Sequence, residues 1–437
     1  MIHKFKQGDD YILLDVESGA VHIIDDLVFE ILDTFTGDND AEVLAKYQSA
    51  EVAEVLEELH SLIDAGELFS PEIDLPANFA SFGVVKSLCL MVAQDCNLAC
   101  KYCFGTEGTY GNRALMSEEV GLAAVDFIIK NSKIRKHCEI DFFGGEPLMN
   151  LKTVKAVTEY VRKREQDTGK IFKLTLTTNG MLLDDKTVDW LNDNNISVVL
   201  SLDGRQEVHD AMRPTKTGKG SYKIAKKNFK HLVESRGGEN YYLRGTYTNK
   251  NLDFAKDAAS LAEDFKIISL EPVVLKDSAL ALREEHLPKI FAEYDKLTEI
   301  YLAGDFNFFH FNIDLANGPC VAKRLSSCGA GHEYFAVDVD GSLYPCHQFV
   351  GRNKYKLGDV YGGVLESQKP VTKYFRDSHV LNKPKCRSCW AKFFCSGGCA
   401  ANADLFNGDI RKPYDIGCEI QKKRLECAIY IQAVKNA

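Results

Sequence analysis

The chain has 437 residues, of which 45% are hydrophobic and 27% are charged, an ordinary globular composition. With 53 basic and 63 acidic residues the formal net charge is −10, which argues against a strongly basic nucleic-acid-binding protein. No apolar run approaches the roughly 18 residues of a membrane span, and the N-terminus lacks the apolar segment of a signal peptide. We therefore expect a soluble cytoplasmic protein of about three domains, at roughly 150 residues per domain.

Fourteen cysteines are the most unusual feature of the composition. In a reducing compartment, thiols ligate metals, act in catalysis or lie inertly in the core. Residues 1–88 contain no cysteine, three lie within 96–103, and nine lie within 320–427. This uneven distribution indicates specific uses for most of the thiols.

Residues 1–72 are predicted to form a small winged-helix-like α+β domain. The runs YILLDV and AVHIID alternate apolar and polar residues around Glu17-Ser18-Gly19, which predicts a β-hairpin. Asp25 and Asp26 offer an N-cap to the first of three helical stretches, and Gly66 is predicted to end the last one. Residues 73–84 lack periodicity and are predicted to be a linker.

Residues 85–310 are predicted to form a partial (β/α) barrel, which makes the fold class α/β. Six β-rich runs alternate with amphipathic helical runs, from SLCLMVA to IISLEPVVL. This alternation indicates right-handed crossovers and a parallel sheet of six units, with functional groups at the carboxyl ends of the strands. Residues 311–437 are rich in cysteine and loops, and their few apolar runs suggest a region held together by metal.

A three-cysteine loop, Cys96, Cys100 and Cys103 in the pattern C-x3-C-x2-C, follows the first predicted barrel strand. Three thiolates can hold three irons of a [4Fe–4S] cluster and leave the fourth open, whereas structural zinc normally takes four protein ligands. With Tyr102 in the aromatic position, the loop resembles the signature of the radical S-adenosylmethionine (radical SAM) enzymes. The resemblance implies that the open iron binds SAM and that one electron cleaves SAM to a 5′-deoxyadenosyl radical.

The ends of the next predicted strands carry residues that match the same family. Gly144-Gly145-Glu146 resembles the family's GGE motif, which binds the SAM amino group, and two glycines allow a ligand close to the backbone. Ser201 and Arg213 stand where the family commonly has a serine and an arginine for the SAM carboxylate and ribose. Asn179 is a candidate for ribose hydrogen bonds, with a simple turn as the alternative. The resemblance implies a SAM site of Tyr102, Gly144, Gly145, Glu146, Asn179, Ser201 and Arg213.

The C-terminal region contains seven cysteines whose spacing resembles that of the SPASM domain, an extension of radical SAM enzymes that modify peptides or proteins. The resemblance implies two auxiliary [4Fe–4S] clusters. Cys320 either completes the inner cluster or leaves an iron open for a substrate thiolate. Zinc is the alternative metal, because C-x2-C pairs also occur in zinc ribbons. By the resemblance, the inner cluster is held by Cys328, Cys346 and Cys399, and the outer one by Cys386, Cys389, Cys395 and Cys418.

The remaining cysteines and three neighbours of the predicted clusters are given structural interpretations. Cys89, Cys138 and Cys427 lie in predicted strands or a helix and are expected to be packed thiols. His347, beside Cys346, is interpreted as an orienting or exposed histidine. Trp390 and Phe394, inside the cysteine array, are interpreted as shielding the cluster from water rather than binding a ligand.

The first domain has its own resemblance, carried by LDVESGAVHIIDDLVFEIL. This segment resembles PqqD-like leader-binding domains, also called RiPP recognition elements, which bind leaders of ribosomally made, modified peptides. The resemblance implies that an extended leader adds a strand to an open sheet edge. A DNA-binding helix-turn-helix has the same order of elements, but the acidic runs of the domain disfavour phosphate binding.

The order of the three regions resembles the maturases of SCIFF peptides. The resemblance implies an oxidoreductase that uses SAM and three [4Fe–4S] clusters to join cysteine sulfur to an unactivated carbon in a cysteine-rich precursor peptide. It implies a leader on that peptide, a reduced flavodoxin- or ferredoxin-type electron donor, and neither nucleic acid nor membrane as a partner. The alternatives are a carbon–carbon crosslinking peptide maturase, an anaerobic sulfatase maturase, and a non-catalytic iron–sulfur or zinc regulator.

Overall fold

The computed structural model describes residues 1–73, 75, 83–313, 315 and 325–436. Most of the linker predicted at 73–84 lies outside the described residues, and so does Cys320. No helix in the described part of the chain is long and apolar enough to cross a membrane.

The chain begins with a three-stranded antiparallel sheet in the order β1-β2-β3, where β1 is Ile2–Gln7, β2 is Asp10–Asp15 and β3 is Val21–Ile24. The predicted hairpin is β2–β3, and β1 is an additional strand. Asp25 caps the first helix by accepting a hydrogen bond from the Val28 N–H at 2.8 Å, as predicted. The three helices that follow are α1 (Asp26–Ile31), α2 (Asp40–Tyr47) and α3 (Glu51–Asp64).

The second sheet contains the predicted parallel barrel strands in sequential order. Its first strand is buried at all seven positions because helices and the C-terminal region cover both of its faces, which explains the continuous apolar run SLCLMVA. A two-residue strand, β10, extends the parallel set beside β9. The strands are β4 (Ser87–Ala93), β5 (His137–Gly144), β6 (Ile171–Thr178), β7 (Ser197–Ser201), β8 (Tyr241–Tyr247), β9 (Ile267–Pro272) and β10 (Asn307–Phe308).

Helices connect these strands and pack on the sheet, as the crossover rule requires. Their buried faces join one large core that includes Phe142, Leu176 and Phe254. The helices are α4 (Glu118–Asn131), α5 (Leu151–Thr168), α6 (Asp185–Asp193), α7 (Gln206–Met212), α8 (Tyr222–Ser235), α9 (Phe254–Ala262) and α10 (Leu287–Ala303).

The C-terminal region continues the barrel sheet. Strand β11 (Tyr334–Val337) pairs in parallel with β4, and β12 (Ser342–Tyr344), β13 (Gly358–Asp359) and β14 (Gly363–Val364) follow it in antiparallel order. We expected metal to hold this region together; its pairing with the barrel sheet is a further contact that the sequence did not predict. Its helices are α11 (Lys369–Arg376), α12 (Pro384–Arg387), α13 (Lys392–Cys395), α14 (Ala400–Asn407) and α15 (Asp415–Asn436).

The N-terminal sheet is packed on both faces. Leu13 faces the domain's own helices, whereas Ile12 and Leu14 pack with residues of the C-terminal region. A buried ion pair between Lys392 of α13 and Glu17 joins the two regions, and the His3 ring stacks on Trp390 with centroids 3.8 Å apart. The first domain is thus fixed to the cysteine-rich region.

Candidate functional site

A cavity of about 750 Å³ lies where the carboxyl ends of the parallel strands meet. This is the position at which barrel folds place their functional groups. One wall is the cysteine loop after β4, with Cys96, Cys100, Tyr102 and Cys103. The strand ends contribute Gly144, Gly145, Asn179, Ser201, Arg244 and Glu271, and the C-terminal region contributes Cys328, His347, Cys395, Cys399, Cys418 and Arg424.

The cysteine loop brings its three thiols to one wall of the cavity. Asp95 fixes the start of the loop by accepting a hydrogen bond from the Cys96 N–H at 2.8 Å. Burial raises the pKa of Cys96 to about 12 and that of Cys100 to about 11. Burial therefore disfavours the thiolate forms, and a bound iron centre would offset this cost by stabilising them.

Two glycines let the end of β5 lie directly against this loop. A Cβ on Gly144 would lie 2.1 Å from the carbonyl oxygen of Ala93, and a Cβ on Gly145 would lie 2.2 Å from that of Asp95. Gly144 also has a φ of +134°, a conformation that favours glycine. The pair therefore forms a bare backbone surface beside the three thiols, open to a ligand in the cavity.

Glu146, the third residue of the GGE motif, does not line the cavity itself. The residue is fully buried, and its carboxylate accepts hydrogen bonds from the Asn179 N–H, the Thr178 hydroxyl and the Leu148 N–H at 2.8, 2.8 and 3.1 Å. Burial raises its pKa to about 7 in spite of these donors. The carboxylate thus ties the end of β5 to the end of β6, and it is the backbone before it that faces the cavity.

Asp203, which the sequence did not single out, organises the next strand end. Its fully buried carboxylate lies 3.0 Å from Arg213 Nε and accepts hydrogen bonds from the Tyr102 hydroxyl and from the Thr246 N–H. The Arg213 guanidinium also lies 5.3 Å from the centre of the Tyr102 ring. Asp203 therefore fixes both Arg213 and Tyr102 at the cavity wall, and Ser201 lies beside them at the end of β7. A buried carboxylate directly after a strand was the available signal.

Asn179 connects the third strand end to the cysteine loop. Its side-chain amide donates to Asn97 Oδ1 at 2.7 Å and approaches the Cys96 sulfur at 3.7 Å. The side chain thus holds the loop in place as well as lining the cavity.

Four of the predicted auxiliary ligands, Cys328, Cys395, Cys399 and Cys418, line the cavity. Burial and the nearby Cys399 and Cys328 raise the pKa of Cys346. Burial and the nearby Cys395 and Cys386 raise the pKa of Cys418 to about 12 in the same way. Burial, together with Cys395 and Cys389, likewise raises the pKa of Cys386 to about 11. Among the described residues, no group of three His, Cys, Asp or Glu side chains is arranged to hold a metal ion directly.

Several other residues complete the cavity wall. His347 is partly buried there; its Nδ1 lies 3.2 Å from the Tyr334 hydroxyl, and desolvation lowers its pKa to about 4. On the opposite wall, Glu271 lies 2.8 Å from His310 Nε2 and 3.5 Å from Arg424. Burial opposes ionisation of Glu271, but these positive partners hold its pKa well below its usual range. Because Glu271, His310 and Arg424 come from three distant segments, sequence spacing did not reveal them.

Two family models match the chain. The Radical SAM superfamily matches residues 90–253, and an iron-sulfur cluster-binding domain, SPASM, matches residues 328–390. The chain has a radical SAM core and a C-terminal SPASM domain. At the level of the superfamily it is a radical SAM enzyme, and its cofactors are SAM and [4Fe–4S] clusters. Three thiols on one wall and a bare glycine backbone beside them fit these groups.

Relatives and solved structures are similar to this chain over most of its length. A cysteine-type anaerobic sulfatase-maturating enzyme of Clostridium novyi (strain NT) is 28% identical over 348 residues, which is 73% of this chain and 90% of that protein. Histidine-tagged anSMEcpe with bound AdoMet has a TM-score of 0.68 and 23% identity, covering 80% of this chain and 95% of that one. Streptococcus suis SuiB bound to precursor peptide SuiA has a TM-score of 0.53 and 16% identity, covering 95% of this chain and 98% of that one. These similarities confirm the predicted α/β fold with its large parallel sheet.

The three cysteines assigned to the core are all buried, as predicted. Cys89, Cys138 and Cys427 are each at most 1% exposed. Cys89 lies within the fully buried β4, and Cys427 lies on α15 against the barrel. They serve packing and do not line the cavity.

Proposed function

We propose that this radical SAM enzyme forms thioether crosslinks between cysteine sulfur and an unactivated carbon in a ribosomally made, cysteine-rich precursor peptide. The observation that carries the proposal is the shared cavity: the SAM-loop thiols and the inner auxiliary thiols Cys328 and Cys399 line the same space. A site for radical generation and a site that can hold a substrate thiolate would then act on one bound peptide.

In this proposal each thiol set holds one [4Fe–4S] cluster. When bound, the cofactors supply one-electron cleavage of SAM to the radical that removes hydrogen from the acceptor carbon. Cys320 is either the fourth ligand of the inner cluster or is replaced there by the peptide thiolate. The assignments are Cys96, Cys100 and Cys103 for the SAM cluster, Cys328, Cys346 and Cys399 for the inner cluster, and Cys386, Cys389, Cys395 and Cys418 for the outer cluster.

The residues at the strand ends bind and orient SAM. The Gly144 and Gly145 backbone receives the amino group, because the glycines leave the backbone accessible beside the cysteine loop. Arg213, held by Asp203, and Ser201 receive the carboxylate and ribose, with Asn179 as a further ribose donor. Tyr102 packs beside the Arg213 guanidinium and limits its movement. Glu146 acts as a positioning residue that fixes the glycine backbone.

The N-terminal domain binds the peptide leader. Both faces of the sheet are covered, and among the described residues the end strands β1 and β3 each pair with β2 alone. Of these two outer edges we assign the leader to β3, which carries the exposed apolar side chain of Ile23. An extended leader can add a strand there through main-chain hydrogen bonds. Because the Lys392–Glu17 pair fixes this domain to the SPASM region, a bound leader raises the effective concentration of the core peptide at the cavity. SuiB, crystallised with its precursor peptide, aligns with 95% of this chain.

An anaerobic sulfatase maturase is the second candidate, favoured by the 28% identity to the Clostridium novyi enzyme. That alignment covers 73% of this chain. A sulfatase maturase acts on a substrate without a leader, so the leader-binding edge at β3 is the feature that separates the two functions. A carbon–carbon crosslinking maturase shares all the proposed parts and differs in its product alone.

The test is an anaerobic reconstitution with SAM, dithionite and a cysteine-rich precursor peptide encoded beside the protein. Three clusters require about twelve irons per chain, and SAM must yield 5′-deoxyadenosine. Thioether formation removes two hydrogen atoms per bridge from the peptide mass and consumes one free thiol. If the peptide loses two hydrogen atoms but all of its thiols can still be alkylated, the product is a carbon–carbon crosslink. If the enzyme modifies a sulfatase peptide and not the precursor, the second candidate function is correct.

The leader site is tested by the variant I23D, because the Ile23 side chain on β3 is 44% exposed. A charge at this edge is expected to weaken binding of the full precursor at least tenfold without changing binding of a leaderless core peptide. The matched control is I134D, at a 98% exposed isoleucine before β5. If I23D bound the full precursor as tightly as I134D does, the assignment of the leader site to β3 would be wrong.

A further inference from the structure

A basic segment lies directly against the cysteine loop. Residues 213–230 contain seven lysines and arginines and no aspartate or glutamate, in a chain of net charge −10. The Pro214 carbonyl accepts a hydrogen bond from the Ala99 N–H at 2.8 Å, and the Met212 carbonyl accepts one from the Lys101 N–H at 2.9 Å. Backbone hydrogen bonds therefore fix the start of this segment to the loop of Cys96, Cys100 and Cys103.

Some of these charges are neutralised within the protein. Arg213 is paired with Asp203, and Lys226 and Lys230 both pair with Asp264, at 2.6 and 2.7 Å. These ion pairs hold α8 and the end of β7 in place. The other cations of the segment lie at the surface.

The four remaining cations of the segment and Lys101 of the cysteine loop are called the basic patch here: Lys101, Lys216, Lys219, Lys223 and Lys227. All five are exposed. Lys216 contacts Asp95 at 3.0 Å, and this carboxylate is shared with Arg113 at 3.4 Å. Within the part of the chain that the structure describes, the other four lysines have no ion-pair partner. Lys223 and Lys227 are four residues apart and therefore lie on one face of α8, with the 49% exposed Ile224 beside them.

None of the five patch lysines lines the cavity, although Lys101 belongs to the cysteine loop itself. Cys100 and Tyr102 line the cavity, whereas Lys101, between them in sequence, is exposed and is not part of the cavity wall. In the proposed function SAM and the peptide occupy the cavity, so a protein that delivers electrons must approach from outside. The patch marks that outer side with a charge opposite to the charge of the whole chain.

We propose that the basic patch is the docking surface for a small acidic one-electron carrier protein, an inference that rests on the proposed function. Complementary charge would steer such a donor to the cysteine loop and away from the rest of this acidic chain. Ile224 supplies a small apolar contact. For each SAM cleaved, the carrier loses one electron and is oxidised, and the SAM sulfonium is reduced as its carbon–sulfur bond breaks.

The test compares the variant K219E/K223E/K227E with K136E/K163E/K173E, in which three exposed lysines near the amino ends of β5 and β6 are reversed. Both variants change the net charge equally. The probe is a flavodoxin, and two quantities are measured: its dissociation constant from the enzyme, and the rate of SAM cleavage driven by flavodoxin or by dithionite. At low ionic strength the patch variant is expected to bind flavodoxin at least ~10-fold more weakly and to lose most of the salt dependence of binding. Flavodoxin-driven cleavage falls in parallel, while dithionite-driven cleavage stays within about twofold of wild type.

Three results would overturn the proposal: unchanged flavodoxin binding in the patch variant, an equal loss in the control variant, or an equal loss of dithionite-driven cleavage. If even the wild type fails to cleave SAM with dithionite, the proposed function is wrong. In that case the flavodoxin dissociation constants of the two variants still test whether the basic patch is the docking surface.

Discussion

The ion pair between Glu17 and Lys392 gives the sharpest test of how the N-terminal domain is held. The two side chains are 3% and 2% exposed. K392M leaves the buried Glu17 carboxylate without its cation, and E17Q leaves the buried Lys392 ammonium with the more distant and exposed Glu72 at 3.8 Å. Breaking a buried pair in this way costs about 3–5 kcal/mol, whereas replacing both partners is close to neutral. The variants K392M and E17Q are therefore each expected to loosen the contact between the domain and α13, and the double variant to restore most of it.

The assay is native-state hydrogen exchange of the peptides that cover β1, β2 and α13. A cost of about 3–5 kcal/mol raises the population of the open state by roughly two to four orders of magnitude, which exchange rates measure directly. Iron content is the control, because Lys392 lies three residues before Cys395. The reasoning is refuted if the double variant opens as readily as either single variant, or if the single variants exchange like wild type.

Three further outcomes follow from the cavity wall. G145A places a Cβ 2.2 Å from the Asp95 carbonyl, so we expect loss of about four irons per chain and of SAM cleavage, whereas G83A, with open space around it, keeps both. D203N is expected to weaken SAM binding in equilibrium dialysis by at least tenfold, because Arg213 loses its charged partner; binding equal to wild type would contradict its positioning role. Glu146 has a pKa raised to about 7, so its contribution to stability is complete below about 4.5 and is lost as the pH rises through 7. E146Q, which does not titrate, should therefore show a melting temperature that changes less than that of wild type between these pH values.

Local signals in the sequence were sufficient for the elements whose residues are neighbours in the chain. The spacing of Cys96, Cys100 and Cys103 after an apolar strand predicted the loop correctly, and Asp25 marked the first helix. Strand β1 was missed because IHKFKQ contains two lysines and only two apolar side chains, and its partner β2 supplies most of the apolar surface. A strand that is stabilised mainly by its neighbour has only a weak apolar–polar alternation in its own sequence.

Pairings between distant segments were not accessible in the same way. Nothing in the sequence near Tyr334–Val337 indicates that this strand lies beside β4, about 250 residues earlier. The hydrogen-bond partners of Glu146 were out of reach of the sequence for a related reason. A motif predicts that a carboxylate is present, but only the fold shows that donors from β6 already bind both of its oxygens.

The pairing of β11 with β4 determines what would happen if the chain were shortened. Strand β4 is apolar and buried along its whole length, and β11 covers the edge that β5 leaves open. A fragment that ended before β11 would expose that edge to water, with its unpaired N–H and C=O groups next to the cysteine loop. Exposed apolar edges recruit other chains and aggregate. The barrel and the cysteine-rich region should therefore be expressed, purified and engineered as one unit, with any truncation placed outside this shared sheet.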